Sequence, residues 1–293
     1  MKIVHAGDLH VWKMGVPIHD SLALKRWLGG ANLFLHRAKK FPPAYRRLGL
    51  KAIEAENPDV VIFTGDFSQA SQAKEFLECS ELFAPLREKL GDRLIAIPGN
   101  HDVYTSGSVK RKLLENGLPW VRTQPVSRID LDGDLSVVTV NHSKPFITRS
   151  NGVVLPETHE FLRKTLFQCR EEKRVVLLAG HYPYATPPEH PETPQHNLIG
   201  EEMLEELVAE FAPSLYLHGH KHVRWAIRPE GTPDTLCLNC GSLGMKSDDP
   251  IKQAGFLSWE QNNDGTIDQL TAHHLASQAG WKKIHLGITP ASV

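Results

Sequence analysis

The sequence contains little cysteine and no long apolar run. Its 293 residues include four cysteines, too few for a disulfide framework in a chain of this size. No apolar stretch approaches the roughly 20 residues that would span a bilayer. The formal net charge of -1 gives no global reason to expect a nucleic-acid or membrane partner. Because an informative motif already begins at Asp8, no room is left for a signal peptide, and we expect a cytoplasmic chain.

What remains is the composition of an ordinary globular protein, with 41% hydrophobic residues. The length allows one large α/β domain or two small ones. We predict one domain over residues 1–273, because polar motifs are spread from residue 8 to residue 222 and a single site would draw on most of the chain. Residues 274–293 carry weak signals and are predicted to form a C-terminal tail.

Short apolar runs alternate with helical patterns along most of the chain. The runs lie at residues 3–6, 58–64, 93–98, 136–140, 174–179 and 214–217. The helical patterns lie at residues 44–56, 73–89, 156–172 and 201–211. This alternation predicts an α/β fold around a mostly buried sheet. Later segments are short strands, and Asp264-Gly265 indicates a hairpin between two of them, so this part of the sheet is predicted to be antiparallel.

Polar side chains beside glycines follow the predicted buried strands. Seven of them combine carboxylate, amide and imidazole groups: Asp8, His10, Asp66, Asn100, His181, His220 and His222. Ligands of open α/β sheets bind outside the carboxyl ends of the strands, so these side chains are expected to meet in one crevice. The mixture suits divalent first-row metals such as Mn, Fe, Zn or Ni. Seven ligands exceed one tetrahedral site and fit two ions about 3.5–4 Å apart.

The order of the motifs resembles one known family. The blocks are Asp8-x-His10, Gly65-Asp66, Gly99-Asn100-His101-Asp102, Gly180-His181 and Gly219-His220-x-His222. Together they resemble the calcineurin-like metallophosphoesterases over about residues 3–245, and residues 239–242 resemble the family's Asn-x-Gly-Ser turn. The resemblance implies a four-layer α/β sandwich, with two mixed β-sheets flanked by helices. One departure is visible, because Gly7 stands where many members have serine.

The resemblance also implies roles for individual residues. One metal ion would be held by Asp8, His10 and His222. The second would be held by Asn100, His181 and His220, with Asp66 bridging the two ions. His101 would act as general acid or charge stabiliser, oriented by Asp102, while a metal-bridging hydroxide attacks phosphorus. The cofactors are therefore expected to be two divalent ions, with Mn favoured and Fe, Zn or Ni as alternatives.

Plainer interpretations exist for single motifs. An isolated Asp-x-His or Gly-x-His is more often a turn than a metal site, and only the joint occurrence of the blocks argues against coincidence. Cys237-x-x-Cys240 has no second cysteine pair, so it is interpreted as two buried strand cysteines and not as a zinc site. His142 follows a predicted strand, where it would either line the cleft or be an ordinary loop histidine, and the second interpretation is favoured.

The most unusual segment is residues 21–53, which contains eight Lys/Arg and no Asp or Glu. Most of it, about residues 21–50, is predicted to be a basic helical insertion. One interpretation is a helical hairpin that packs its apolar side on the core. The other is an amphipathic element that rests on an anionic membrane surface, which would make the chain peripheral on the inner membrane face.

The cues Lys25-Arg26-Trp27-Leu28-Gly29 and Asn32-Leu33 resemble a bacterial subgroup of lipid A biosynthesis. That subgroup cleaves UDP-2,3-diacylglucosamine to lipid X and UMP. Alternatives are a cyclic-nucleotide phosphodiesterase, a DNA nuclease, or a metal-free interaction scaffold. The expected partner is a phosphate-containing small molecule or lipid. Nucleic acid is disfavoured because no additional domain for gripping a duplex is evident, and the sequence carries no signal for oligomeric state.

Overall fold

A computed structural model describes residues 1–13, 38–146, 148–276, 280–286 and 289–290. Residues 14–37, which include most of the predicted basic insertion and the Lys25–Asn32 cues, lie outside the described residues. Within the described part of the chain, no helix is both long and apolar enough to cross a membrane.

The first sheet has six strands in the order β14-β13-β12-β1-β2-β3. Their bounds are β1 Lys2–Ala6, β2 Val60–Thr64, β3 Leu94–Ile97, β12 Gly255–Gln261, β13 Ile267–Leu275 and β14 Trp281–His285. β1, β2 and β3 are parallel, whereas β12, β13 and β14 continue the sheet through antiparallel pairs. The predicted antiparallel hairpin at Asp264-Gly265 is the connection between β12 and β13.

The second sheet has seven strands in the order β15-β10-β11-β9-β7-β5-β4. Their bounds are β4 Val126–Asp130, β5 Leu135–Val140, β7 Val175–Ala179, β9 Leu215–His218, β10 Arg224–Arg228, β11 Leu236–Cys240 and β15 Thr289–Pro290. The central strands β5, β7, β9 and β11 are parallel, and β4 and β10 are antiparallel to their neighbours β5 and β11. Two short strands, β6 Gly152–Val153 and β8 Leu198–Ile199, form a separate pair.

Helices cover the outer face of each sheet. Their bounds are α1 Ala38–Lys40, α2 Pro43–Ala55, α3 Ala73–Leu90, α4 Ser106–Lys110, α5 Leu113–Gly117, α6 Pro156–Glu171 and α7 Glu201–Phe211. A 3₁₀ turn, Gly91–Arg93, joins α3 to β3. All four helices that the sequence predicts are present.

Both faces of the parallel strands are buried, which explains why the sequences of these strands are continuous apolar runs. Along β2, Val60 and Ile62 point into the core between the two sheets, and Val61 and Phe63 point into the core under α2 and α3. A third core packs α6 and α7 on the second sheet. The layers therefore run helix, sheet, sheet, helix, and the predicted four-layer sandwich is confirmed.

Two of the longer strands were not predicted. β4 is only half buried, so its run of polar residues carries a weak signal. β14 lies within the segment predicted as a tail and pairs with β13 as an edge strand with mostly exposed side chains. The division of the chain at residue 273 stays a prediction. Cys237 and Cys240 are buried on β11, as predicted.

Candidate metal centre

The loops after β1 and β2 run side by side at the carboxyl edge of the first sheet. The backbone N–H of Asp8 donates to the Gly65 carbonyl at 2.9 Å, and that of His10 donates to the Asp66 carbonyl at 3.0 Å. These bonds extend the parallel pairing of the strands by several residues beyond their ends. The two loops are therefore joined by backbone hydrogen bonds, and together they carry three of the predicted metal ligands, Asp8, His10 and Asp66.

Five of the seven predicted ligands have left-handed backbone conformations, with φ between 51° and 69°: Asp8, His10, Asp66, His220 and His222. Residues with a Cβ rarely adopt this region, because the side chain crowds the backbone. Such strain concentrates at functional sites, where the surrounding structure compensates for it. All five are Asp or His, which adopt this region more often than most residues with a Cβ, but the residue type alone does not predict it.

Glycines beside the ligands make room for the carboxylates. A Cβ on Gly99 would collide with Oδ1 of Asp66, and a Cβ on Gly219 would collide with Oδ2 of Asp8. Gly7 has a similar explanation. A Cβ there would lie 3.0 Å from Oγ1 of Thr64 and 3.2 Å from Sγ of Cys240, so Cys240 takes up the space that a serine at position 7 would need.

The first group of polar atoms comes from three loops. The Nε2 atoms of His10 and His222 lie 2.9 Å apart. Oδ1 of Asp8 lies 3.0 Å from Nε2 of His222 and 3.7 Å from Nε2 of His10. With Asp66, these residues each place one ligand atom within 4.8 Å of all the others. The structure thus brings together four of the seven predicted ligands, and three of the four are buried.

The second group lies on the other side of Asp66. Oδ1 of Asn100 lies 3.2 Å from Nε2 of His181 and 3.1 Å from Nδ1 of His220. Oδ2 of Asp66 lies 3.5 Å from Nε2 of His181 and 3.7 Å from Nε2 of His10. A single carboxylate oxygen therefore stands between the two groups, and all seven predicted residues meet in one place.

Backbone carbonyls fix the outer nitrogens of the second group. Nδ1 of His181 donates to the Thr64 carbonyl at 2.6 Å, and Nε2 of His220 donates to the His196 carbonyl at 2.9 Å. In a neutral ring the other nitrogen then carries a lone pair. Both lone pairs face the Asn100 oxygen, itself an acceptor. With both rings neutral, three acceptors converge without a donor, an arrangement that a bound cation would satisfy; in the absence of a cation, a proton on Nε2 of His181 takes that place.

The charges in the site point the same way. Burial by itself would raise the pKa of the Asp8 carboxyl. The His222, His10 and His181 side chains outweigh this effect, so the pKa of Asp8 lies below its ordinary value. Burial alone would lower the pKa of His181, but the Asp66 and Asp8 carboxylates raise it to about 9. The carboxylates thus attract positive charge into a dry cleft. The residues present fit a pair of divalent cations, with nitrogen and oxygen ligands that suit first-row metals.

The His101 ring lies at the edge of the first group. Its centroid is 4.8 Å from that of His10, and it stacks on Tyr104. Nδ1 of His101 lies 2.7 Å from the Gln69 carbonyl oxygen and 3.1 Å from the Gln69 side-chain nitrogen, and it donates to the carbonyl in the tautomer that carries its proton on Nδ1. The backbone N–H of His101 donates to Oδ1 of Asp66, which leaves Oδ2 of that carboxylate facing both groups.

Asp102 is hydrogen-bonded to two loops. Its carboxylate accepts hydrogen bonds from the backbone N–H groups of Phe67, Ser68 and Gly99, and from the Ser68 hydroxyl. The Gln69 carbonyl lies beside Nδ1 of the His101 ring, and the predicted role of Asp102 in orienting His101 stays a prediction. Asp102 therefore ties the loop after β2 to the loop after β3.

Two further residues near the site have surroundings that the sequence alone does not show. The Phe41 ring packs 4.6 Å from the ring of His10 and 5.7 Å from that of His222, although the sequence indicates only an apolar residue of the basic segment. His142, predicted to be an ordinary loop residue, is fully buried, and neither ring nitrogen has a partner among the described residues. Burial lowers the pKa of His142 to about 3.

Comparison with solved structures finds similar chains at low sequence identity. A dimetal phosphatase from Danio rerio is 11% identical with a TM-score of 0.59, and the match covers 98% of this chain and 99% of that one. A protein from Thermus thermophilus is 11% identical with a TM-score of 0.49, covering 91% of this chain and 96% of that one. The first of these likenesses supports the fold alone. No curated protein matches the chain.

A family model decides the assignment. The model described as calcineurin-like phosphoesterase matches residues 1–224, which hold all seven converging ligands. The family's chemistry agrees with a site in which one carboxylate oxygen joins two groups of nitrogen and oxygen atoms. The chain therefore belongs to the calcineurin-like phosphoesterase family and is a metal-dependent phosphoester hydrolase.

Proposed function

We propose that the chain hydrolyses a phosphodiester or pyrophosphate bond with two divalent cations. The observation that carries this proposal is the position of Oδ2 of Asp66, which lies 3.7 Å from Nε2 of His10 and 3.5 Å from Nε2 of His181. One oxygen in that position suits a ligand that both cations share.

The proposed ligands divide between the two groups. Asp8, His10 and His222 hold the first cation, Asn100, His181 and His220 hold the second, and Asp66 is common to both. When bound, the cations lower the pKa of a shared water and neutralise charge on the phosphoryl oxygens. Manganese is the first choice, because the mixture of carboxylate, amide and imidazole suits it, and iron, zinc or nickel are alternatives.

His101 is proposed to act on the leaving group. Nδ1 of His101 lies at hydrogen-bond distance from the Gln69 carbonyl, so Nε2 is the nitrogen that we propose acts on the substrate. In the imidazolium form, Nε2 donates its proton to the departing oxygen or stabilises charge on the phosphoryl group. Asp102 is proposed as a positioning residue, because it holds the backbone from which both Asp66 and His101 project.

The proposed substrate is UDP-2,3-diacylglucosamine, cleaved to lipid X and UMP. Support comes from the basic segment, residues 21–53, whose described end reaches the site. Lys39 and Lys40 are exposed, and the next residue, Phe41, packs on His10 and His222. Basic residues beside an apolar wall suit a substrate that carries both phosphates and acyl chains. We therefore also propose peripheral contact of residues 21–50 with the inner face of a cytoplasmic membrane.

The chemistry is tested with bis(p-nitrophenyl) phosphate. Protein with added Mn²⁺ should hydrolyse it, and chelator should stop turnover until Mn²⁺ is restored. Absence of turnover with Mn²⁺, Fe²⁺, Zn²⁺ and Ni²⁺ in turn would favour an interaction scaffold and contradict the proposal.

The substrate is tested by comparing UDP-2,3-diacylglucosamine, cyclic AMP and single-stranded DNA under one metal condition. The lipid nucleotide should have the highest kcat/KM. Lys39→Gln with Lys40→Gln should weaken binding to anionic liposomes and lipid turnover. The matched pair Lys110→Gln with Lys252→Gln changes the same charge elsewhere and should change neither. A preference for cyclic AMP or DNA would replace the lipid substrate and leave the two-cation chemistry standing.

A further inference from the structure

A cavity of about 510 Å³ opens at the amino end of β3. Asp92 and Leu94 line it at this end, whereas Asn100 follows the opposite end of the strand. Asn100 follows Leu94 by six positions, which in an extended chain corresponds to a distance of as much as about 20 Å. The cavity is therefore a feature separate from the metal centre.

Two guanidinium groups line this cavity without a hydrogen-bonded acid among the described residues. Arg87 projects from α3 and lies 5.3 Å from the centroid of the Trp120 ring. Nε of Arg122 is buried and has no hydrogen-bond acceptor in the described part of the chain. Their neighbour Arg93 is different, because it pairs with Asp132 at 2.6 Å.

The rest of the lining adds hydrogen-bonding groups. Thr123, Gln124 and Ser127 supply two hydroxyls and an amide. The single carboxylate, Asp92, leaves the two guanidinium groups with a formal excess of one positive charge. A buried N–H without an acceptor is costly, so an acceptor brought by a ligand would stabilise the site. The fork of a guanidinium matches two oxygens of a carboxylate or phosphate.

We propose that this cavity binds a small organic oxyanion, with phosphate or carboxylate groups held by Arg87 and Arg122. Its volume is in the range of small-molecule sites, which is more than an inorganic ion alone requires. The proposal does not depend on the metal centre, since none of the proposed ligands lines the cavity.

The test is calorimetric titration of chelator-treated full-length protein with pyrophosphate and, separately, with citrate. One saturable site is expected for at least one probe. Arg122→Gln and Arg87→Gln should each weaken binding about tenfold or more, as expected for the loss of a charge-assisted contact. The control Arg93→Gln, which removes a paired arginine nearby, should change affinity less than about twofold. The ligand should also change tryptophan fluorescence, and Trp120→Phe should abolish that change.

The two probes distinguish phosphate from carboxylate as the preferred group, and binding of either supports the site. Absence of binding for both probes would overturn the proposal, as would an unchanged affinity in folded Arg87→Gln or Arg122→Gln. His222→Ala locates the binding. If that variant abolishes it, the probe occupies the metal centre and the proposal is wrong. Circular dichroism confirms the folding of each variant. If Arg122→Gln does not fold, the affinity of Arg87→Gln decides the test, because Arg87 is partly exposed on α3.

Discussion

The two halves of the metal centre are held in place by different forces. In the half that contains His181 and His220, each ring is fixed by a hydrogen bond to a backbone carbonyl. In the half that contains His10, the buried Nδ1 has no hydrogen-bond partner within the described residues, and the ring packs against Phe41. Left-handed ligands and aromatic contacts occur in both halves, since His220 has a positive φ and Tyr182 packs on His181 and His220. What differs is the hydrogen bonding, because backbone carbonyls hold both rings of one half, whereas the His10 ring relies on packing against Phe41. Side-chain substitutions outside the ligands should affect the two halves unequally.

The largest effect is expected at Asp66, where the halves meet. Asp66→Asn keeps the size of the side chain and removes the charge that, in the proposed arrangement, both cations would share. Loss of a group that merely supports a ligand costs about 10–100-fold in metal affinity, so loss of a shared ligand should lower turnover by at least about 10³-fold. Turnover of bis(p-nitrophenyl) phosphate and metal content by mass spectrometry measure the two consequences.

Asp59→Asn is the matched control, because the Asp59 carboxylate accepts an exposed backbone hydrogen bond from Lys2. It should retain both metals and full turnover. If Asp66→Asn kept two tightly bound ions, the two halves would not share this carboxylate, and the proposed role of Asp66 would be wrong.

The next effect is expected at His101, which belongs to neither half. His101→Gln should keep both cations and lower turnover by about 10²-fold or more, in the range of a lost general acid. The loss should be smaller for a substrate with a good leaving group, such as p-nitrophenolate, than for one with a poor leaving group. A decrease in metal content would show that His101 supports a cation and is wrongly assigned.

Much of the site was predictable because the ligands stand in short motifs at strand ends. Apolar runs indicate the strands, and the carboxyl ends of parallel strands lie at one edge of a sheet. This was enough to bring Asp8 and His222 together across more than 200 residues of sequence. The four-layer fold followed from the same pattern together with the family resemblance.

The parts that were missed depend on tertiary contacts. β4 was missed because it is half exposed and rich in polar residues. Phe41 lies in a segment whose apolar residues could face a core or a membrane, and only the folded chain shows that it packs on two histidines. The Asp102 contacts could not be read from sequence, because its partners are backbone groups of another loop.

A moderate effect is expected from Phe41→Leu, which tests the half that packing orients. The substitution keeps an apolar side chain but removes the ring, so the His10 and His222 rings should gain freedom. One of the two cations should then bind about tenfold more weakly, at the lower end of the range for groups that orient ligands. Titration calorimetry with Mn²⁺ resolves the two binding events.

Phe83→Leu is the control for general loss of packing, because Phe83 lies on the buried face of α3 and its ring packs on Phe63 and Phe67 in the core. It should lower the melting temperature without changing either Mn²⁺ affinity. Equal weakening of both cations in Phe41→Leu would mean that the ring supports the whole centre and not one half.

A smaller effect, on stability and not on the metal centre, is expected at Glu56. Burial opposes its ionisation, but hydrogen bonds from Lys2 and Lys283 lower its pKa from 4.5 to about 2. A carboxyl group with a lowered pKa stabilises the fold above pH 4.5, and this contribution disappears as the pH falls toward 2. Glu56→Gln should lower the melting temperature at pH 7 by about 1–3 °C, because the pair is partly exposed.

The difference between Glu56→Gln and the unsubstituted protein should shrink as the pH is lowered from 4.5 toward 2. Calorimetric melting curves at several pH values measure it, and turnover should stay unchanged at pH 7. A stability difference independent of pH would show that the lysine contacts are not its source.

The smallest effect is expected from His196→Ala, which tests the half that backbone carbonyls orient. Nε2 of His220 donates to the main-chain oxygen of His196, so the substitution leaves the acceptor in place. Both Mn²⁺ affinities should change less than about threefold, in contrast to Phe41→Leu, although both substitutions remove a ring beside a proposed ligand. A tenfold loss in His196→Ala would mean that the His196 ring, and not its carbonyl, holds His220. The two halves would then be oriented by the same force, packing between rings.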